Sequence, residues 1–332
     1  MRTRKDWDEE DVRVRPGKRS RPRTKIRPKH EDAVDGFVMA VDRGRYTCRV
    51  EDRDVTAMRA RELGRRGVVV GDHVKLVGDL TGKKDTLARI VKVQPRRGQL
   101  RRYADDDATS AERILVANVD QLVVVSSLVD PPLRYGFIDR CLVAALDAGV
   151  QPVLSLTKCD LDSEGVAAVE AYYADLNPII VTSRPEEPVD SVRDVLRDKV
   201  SVLIGHSGVG KSTLVNRLVP GADRTTAAVR TIGKGSHTST SAVALELPAG
   251  GWVIDTPGVR SFGLAHVTAD SLIEAFPELM EVAEDCPRGC VHTLEVGECA
   301  LDEDIGPDDS RRGRLESYRR MLASVSAAET RY

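Results

Sequence analysis

The sequence has no apolar run approaching the roughly 18 residues that a membrane span needs. Its longest candidate, Ile114 to Val129, is broken by Asn118, Asp120 and Gln121. No apolar core of a signal peptide stands near Met1. Cysteine is scarce: there are six, and three of them, Cys286, Cys290 and Cys299, gather near His292. That argues against a disulfide framework and for a reducing compartment with one metal site. The expected location is therefore the cytoplasm, with no membrane partner. Aromatic residues are also few between Ala33 and Val93, where only Phe37 and Tyr46 occur. Base stacking on exposed rings is thus not expected there.

At 332 residues the chain is too long for one ordinary core, and its 41% hydrophobic content is that of a soluble globular protein. Net charge is only −2, but it is unevenly spread: residues 1–30 carry +7 and the remainder −9. From Arg13 to Lys29 there are nine basic residues and no acid. Residues 1–32 therefore read as a Pro-rich, disordered basic tail, serving either as a solubilising extension or as an RNA-backbone contact.

Residues 33–98 read as all-β. Five short alternating runs fall at Gly36–Val41, Arg45–Val50, Asp54–Met58, Asp72–Val77 and Thr86–Val93, punctuated by glycines. A small barrel follows, with the OB-fold leading. Arg43, Arg45, Arg59, Arg61, Arg65, Arg66, Lys75, Lys83 and Lys84 would make its surface basic, which suits nucleic-acid backbone contacts. Pro95 to Gly98 ends the barrel, and a polar stretch through Asp105–Asp107 reads as a linker. From Glu112 strands and helices alternate. Strands are expected at Leu122–Ser126, Pro152–Leu156, Ile179–Thr182, Val200–Ile204, Val243–Leu247 and Trp252–Ile254. Helices are expected at Tyr135–Ala148, Ser163–Ala174 and Val189–Leu196. That order predicts an α/β domain over residues 112–265 with a mostly parallel sheet. Residues 266–332 read as a helical C-terminal domain holding the cysteine cluster.

The strongest motif is Gly205-His206-Ser207-Gly208-Val209-Gly210-Lys211-Ser212-Thr213, between an apolar strand and a helix. It fits the phosphate-binding loop G-x-x-x-x-G-K-[ST]. Backbone N–H groups and a helix N-terminus favour phosphate oxygens, Lys211 can reach the β and γ phosphates, and the Ser212 hydroxyl can ligate Mg²⁺. Downstream, the apolar strand at Trp252 ends in Asp255-Thr256-Pro257-Gly258, a D-x-x-G pattern. Asp255 there would hold Mg²⁺, and the Gly258 N–H would sense the γ phosphate. Thr157-Lys158-Cys159-Asp160 resembles the guanine motif N-K-x-D, with Thr157 in place of Asn. A carboxylate at 160 accepts two hydrogen bonds from guanine that adenine cannot supply. Thr182-Ser183 matches the looser fifth motif of GTPases. The base motifs precede the phosphate loop, so the order is circularly permuted, and the chain leaves the switch II region directly into the C-terminal residues.

With these residues in place, the sequence resembles the circularly permuted RsgA (YjeQ) family of small-ribosomal-subunit-dependent GTPases. Also carrying the resemblance are Gly71-Asp72-His73-Val74, Gln94-Pro95-Arg96-Arg97, Asn118-Val119-Asp120, Ile138-Asp139-Arg140 and Gly235 to Thr240. The resemblance implies an OB-fold, a permuted GTPase and a zinc domain. It also implies GTP and GDP as ligands, and late maturation of the small (30S) subunit with 16S rRNA as partner, the chain acting as a monomer. Cys286, Cys290, His292 and Cys299 offer three thiolates and one imidazole, which suit tetrahedral structural zinc. Val259 stands where many GTPases place a water-orienting Gln; the resemblance implies His237 in that role. Thr238 or Thr240 would complete the Mg²⁺ shell. Two other classes remain open at this point: a P-loop ATPase or kinase, and a non-catalytic RNA-binding protein.

Overall fold

The computed structural model describes residues 30–63, 67–102, 113–162, 164–176, 178–222, 242–256, 272–274, 276–293 and 298–329. Its first five strands are β1 (Val34–Asp42), β2 (Arg45–Val50), β3 (Arg53–Arg59), β4 (His73–Gly78) and β5 (Ala88–Val93). They pair in the order β1-β2-β3-β5-β4, and β4 returns to β1, so the ribbon closes on itself. The β3–β5 pair is parallel and the other four are antiparallel. This is the expected five-stranded OB-like barrel. Alternation explains its core: Val55 and Ala57 point in while Thr56 and Met58 do not, and Val74 and Leu76 meet them with Val38, Cys48 and Ile90. Phe37 and Tyr46 are both buried.

Two strands then form a pair of their own, β6 (Gln99–Arg102) and β7 (Arg113–Ala117), antiparallel with Leu100 opposite Val116. The sequence suggests only a linker here; its central residues, 103–112, fall outside those described.

The nucleotide-type sheet comprises β8 (Gln121–Ser127), β9 (Gln151–Thr157), β10 (Ile179–Ser183), β11 (Val200–Ile204), β12 (Val243–Glu246) and β13 (Trp252–Asp255). Its order is β10-β9-β8-β11-β13-β12, parallel except for β12. The helices among these residues are α1 (Tyr135–Asp147), α2 (Gly165–Tyr172), α3 (Asp190–Leu196) and α4 (Lys211–Leu218). Strand β8 is buried at every residue. Leu122 and Val124 pack with Ile138, Cys141 and Leu142 of α1, whereas Val123 and Val125 pack with Leu196 of α3 and Leu214 of α4. A strand covered on both faces reads as a continuous apolar run for this reason.

The barrel and this sheet are continuous. Ala40 of β1 pairs with Val243 of the edge strand β12, giving eleven strands in one hydrogen-bonded order. The Phe37 ring stacks on Trp252 of β13 at 4.5 Å. After β13 come α5 (Pro277–Ala283), α6 (Ala300–Asp304) and α7 (Arg312–Glu329). Leu315, Tyr318 and Met321 of α7 join the same apolar core as α1. Helix α1 also buries Phe137, Val143 and Ala144, beyond the single face its spacing suggests. No helix among the described residues is long and apolar enough to cross a membrane.

Candidate functional site

The motif residues collect at the carboxyl ends of the parallel strands. Strand order reverses between β8 and β11, and in open α/β sheets ligands bind in the crevice at such a reversal. The phosphate loop leaves β11 there. Gly205 has no room for a side chain, since a Cβ would lie 2.5 Å from the Val125 carbonyl oxygen of β8. Gly210 adopts φ +91°, a left-handed conformation that glycine accepts without strain, and α4 starts at the next residue. Val209 is buried and anchors the loop, while Ser207, Gly208, Ser212 and Thr213 are exposed. Lys211 forms an ion pair with Asp255, the last residue of β13. Beside Asp255, Thr256 is buried and donates from its hydroxyl to the Leu203 carbonyl at 2.9 Å. This fixes the start of the D-x-x-G segment to the strand that carries the phosphate loop.

The base motif lies two strands away. In register, Ser127 of β8, Thr157 of β9 and Ser183 of β10 stand side by side. Thr157 is buried and donates to the Val209 carbonyl at 2.6 Å, so it is tied to the phosphate loop. Lys158 has φ +56° and donates its ammonium to the Asp130 carbonyl, which pins the turn after β9. Cys159 is buried, Asp160 is exposed beyond it, and Thr182 is exposed at the end of β10. The structure thus brings together Thr157, Asp160, Thr182, Ser183, the loop from Gly205 to Thr213, and Asp255. His237, Thr238, Thr240 and Gly258 lie outside the described residues.

Helix α1 packs against the phosphate loop and carries residues to which no sequence motif gives a role. Phe137 packs its ring 4.2 Å from that of His206 in the phosphate loop. Burial lowers the His206 pKa, aided by Arg134 and Arg140. Two residues on, Asp139 is buried, accepts a 2.9 Å hydrogen bond from the Tyr173 hydroxyl and lies 3.5 Å from Arg320 of α7. Burial raises its carboxyl pKa more than Tyr173 and Arg320 lower it. Arg320 covers the Tyr172 ring at 4.2 Å.

The cysteine cluster is assembled by the loop after α5 and the start of α6. The ligand atoms of Cys286, Cys290, His292 and Cys299 all lie within 4.8 Å of one another. The His292 Nδ1 is 3.5, 3.6 and 3.8 Å from the sulfurs of Cys286, Cys290 and Cys299. Cys286 and Cys299 are 3.9 Å apart at sulfur, with no disulfide. Such spacings are the edges of a tetrahedron with metal–sulfur bonds of about 2.3 Å, and the donor set is that of structural zinc. Cys48, Cys141 and Cys159 are buried elsewhere, and burial pushes the Cys48 thiol up to about 12, which marks it as inert packing.

On the barrel, Arg43, Arg45, Arg59, Arg61, Lys83 and Lys84 are exposed, as expected of a basic surface. Lys75 is less exposed and pairs with Asp35 at 2.8 Å. Arg65 and Arg66 lie outside the described residues. The barrel is held to the sheet through Asn118, which accepts from the Arg97 N–H at 2.9 Å and donates to the Gly71 carbonyl at 2.8 Å.

Comparison with known proteins agrees with this geometry. A family model described as RsgA GTPase matches residues 93–265. A small ribosomal subunit biogenesis GTPase RsgA of Chlorobaculum tepidum is 35% identical, over 89% of this chain and 99% of the relative. One of Pseudomonas aeruginosa is 40% identical over 71% and 70%. The crystal structure of YjeQ from Thermotoga maritima superposes with a TM-score of 0.66 at 26% identity, covering 89% of this chain and 99% of that one. YloQ, a circularly permuted GTPase, shares the fold with a TM-score of 0.65 at 23% identity, covering 92% and 100%.

Proposed function

The chain belongs to the RsgA GTPase family, and from that membership we propose that it is a GTP-hydrolysing factor of small-ribosomal-subunit biogenesis. It binds the 30S subunit and its 16S rRNA late in maturation, as a cytoplasmic monomer, and the subunit stimulates its hydrolysis. The observation that carries this reading is that Thr157 bonds the phosphate loop at Val209 while Lys211 pairs with Asp255, all at the carboxyl ends of the parallel strands, with Asp160 exposed just after Thr157. The exposed arginines and lysines of the barrel support an rRNA-backbone contact.

In this reading Asp160 selects guanine, Thr182 and Ser183 flank the base, and Lys158 packs its stem along it. The N–H groups from Gly205 to Thr213 and the Lys211 ammonium hold the phosphates. Ser212 and Asp255 offer hard oxygen ligands suited to Mg²⁺, with Thr238 or Thr240 completing the shell; bound there, the ion neutralises charge on the β and γ phosphates. His237 orients a water whose oxygen bonds to the γ phosphorus as the β–γ bridging bond breaks, giving GDP and phosphate. Gly258 senses the γ phosphate. Cys286, Cys290, His292 and Cys299 hold one structural zinc.

The test is GTP turnover of the purified chain with and without purified small subunits, together with competition by ATP. Turnover that rises with subunits, and GTP displaced poorly by ATP, are expected. Equal displacement by ATP would replace the reading with an ATPase or kinase, and undetectable nucleotide binding would leave an RNA-binding protein.

A further inference from the structure

We propose that Arg319 of α7 is a positioning residue of the metal centre, holding two of its ligands in the geometry that retains the ion. The inference rests on the zinc reading above. The guanidinium is largely buried, with 9% of the side chain exposed. Two of its nitrogens grip Asp302 of α6 in a forked pair, at 2.7 and 2.6 Å. That pair fixes the plane of the group, as Arg–carboxylate forks do. The remaining edge then faces the cluster. Nε donates to the His292 carbonyl at 3.0 Å, and Nη2 approaches the Cys299 sulfur at 3.9 Å.

One planar group therefore spans both segments that supply ligands, the loop ending at His292 and the turn opening at Cys299. Each contact has a separate purpose. His292 has φ +54°, a left-handed conformation that non-glycine residues rarely adopt. Its carbonyl, held by Arg319, keeps the backbone in that conformation, and the imidazole faces the three sulfurs as a consequence. At Cys299 the donor meets a thiolate once metal is bound. Three thiolates and a neutral imidazole around a divalent ion leave net negative charge, which an N–H donor to sulfur stabilises.

General docking of α7 is carried elsewhere. Leu315, Tyr318 and Met321 bury its apolar face. Arg314 pairs with Glu278 at 2.6 Å, and Arg320 faces Asp139. Arg314 serves as the control: an arginine on the same helix whose ion pair is with Glu278 of α5.

The experiment follows zinc loss from the full chain to a chromogenic chelator, with zinc content measured beforehand, and the visible spectrum of the cobalt(II)-substituted chain. Arg319→Gln is expected to release zinc about tenfold faster or more, the usual size for a lost outer partner of a metal ligand. Its thiolate-to-cobalt charge-transfer band should also change. Arg319→Lys keeps the charge but cannot span three partners, and should fall between. Arg314→Ala should match the wild type within about twofold. Wild-type release from Arg319→Gln, or equal acceleration in Arg314→Ala, overturns the proposal. If Arg319→Gln does not fold, the comparison of Arg319→Lys with Arg314→Ala decides on the same criteria. A wild-type chain that takes up neither zinc nor cobalt removes the zinc reading itself, and this inference with it.

Discussion

The Thr157 hydroxyl donates to the Val209 carbonyl at 2.6 Å, joining the first residue of the base motif to the middle of the phosphate loop. Thr157 also stands against Gly210, where an added Cβ would come within 3.6 Å of its hydroxyl oxygen. A residue that departs from the N-K-x-D pattern therefore still braces the loop. Thr157→Val keeps the shape and deletes the donor. Losing one buried hydrogen bond costs about 1 kcal/mol, or roughly fivefold in affinity. Titration with fluorescent GDP and GTP analogues should show that loss for both nucleotides, because the brace acts on the loop rather than on the γ phosphate. Unchanged affinity for both would show that the loop holds without it.

Asp160 is exposed just beyond β9, and in the proposed function it accepts two hydrogen bonds from the guanine base. Asp160→Asn replaces one acceptor by a donor, which suits the C2 carbonyl of xanthine instead of the 2-amino group of guanine. GTP binding should fall by about tenfold to a hundredfold, the worth of a bidentate base contact, while XTP binding rises. Equal affinity of wild type and variant for both nucleotides would remove Asp160 from the base site.

In the proposed function His237 orients the attacking water, a role that the resemblance to the family implies and that Val259 cannot fill. His237→Ala should leave GTP affinity near wild type and lower subunit-stimulated turnover by about a hundredfold, as expected for a group acting on the proton or position of the nucleophile. Wild-type stimulated turnover would transfer the role to another residue.

The nucleotide sheet was legible because its strands are covered on both faces. Leu122 to Val125 form an unbroken apolar run, and no partner had to be known to read it as a strand. The barrel was legible from alternation, as at Val55, Thr56 and Ala57. The pair β6–β7 was not, since four and five residues on either side of a charged stretch carry too little pattern. The contact between Asp139 and Arg320 was also invisible. Each residue alone reads as a polar position on a helix, and only the packing of α7 on α1 brings them together. The same applies to Phe37 and Trp252, whose stack needs the barrel and the sheet to be one hydrogen-bonded surface.

His206 gives a pH dependence. Its folded pKa lies below the ordinary histidine value of 6.5, first through burial and then through Arg134 and Arg140. The fold therefore favours the neutral ring. The stability tied to that preference is fully present above the ordinary value and declines as pH falls below it, where the unfolded chain binds the proton more readily. His206→Gln removes the titration. Between pH 7.5 and pH 5.5, the urea midpoint of the wild type should fall further than that of the variant. Parallel shifts would show that His206 does not titrate differently on folding.

Asp72 is fully buried, and its carboxylate is matched by a forked pair with Arg96, at 2.6 Å to Nε and 2.8 Å to Nη2. The Val69 N–H adds a third bond at 2.8 Å, and Arg96 also donates to the Gly67 carbonyl. The next residue on each side extends this grip to the nucleotide sheet: Arg97 and Gly71 both bond Asn118. Arg96→Ala would leave a buried charge without its partner, which costs about 3 kcal/mol or more. Removing both members costs less, because no unpaired charge remains, so Asp72→Asn combined with Arg96→Met should recover much of the loss. Trp252 stacks on Phe37 of the barrel, so its fluorescence in a Trp7→Phe background reports the junction during urea denaturation. A lowered midpoint for Arg96→Ala and partial recovery in the double variant are expected. Equal midpoints for wild type and Arg96→Ala would mean that the barrel is held to the sheet chiefly by the Phe37–Trp252 stack and the Ala40–Val243 pairing.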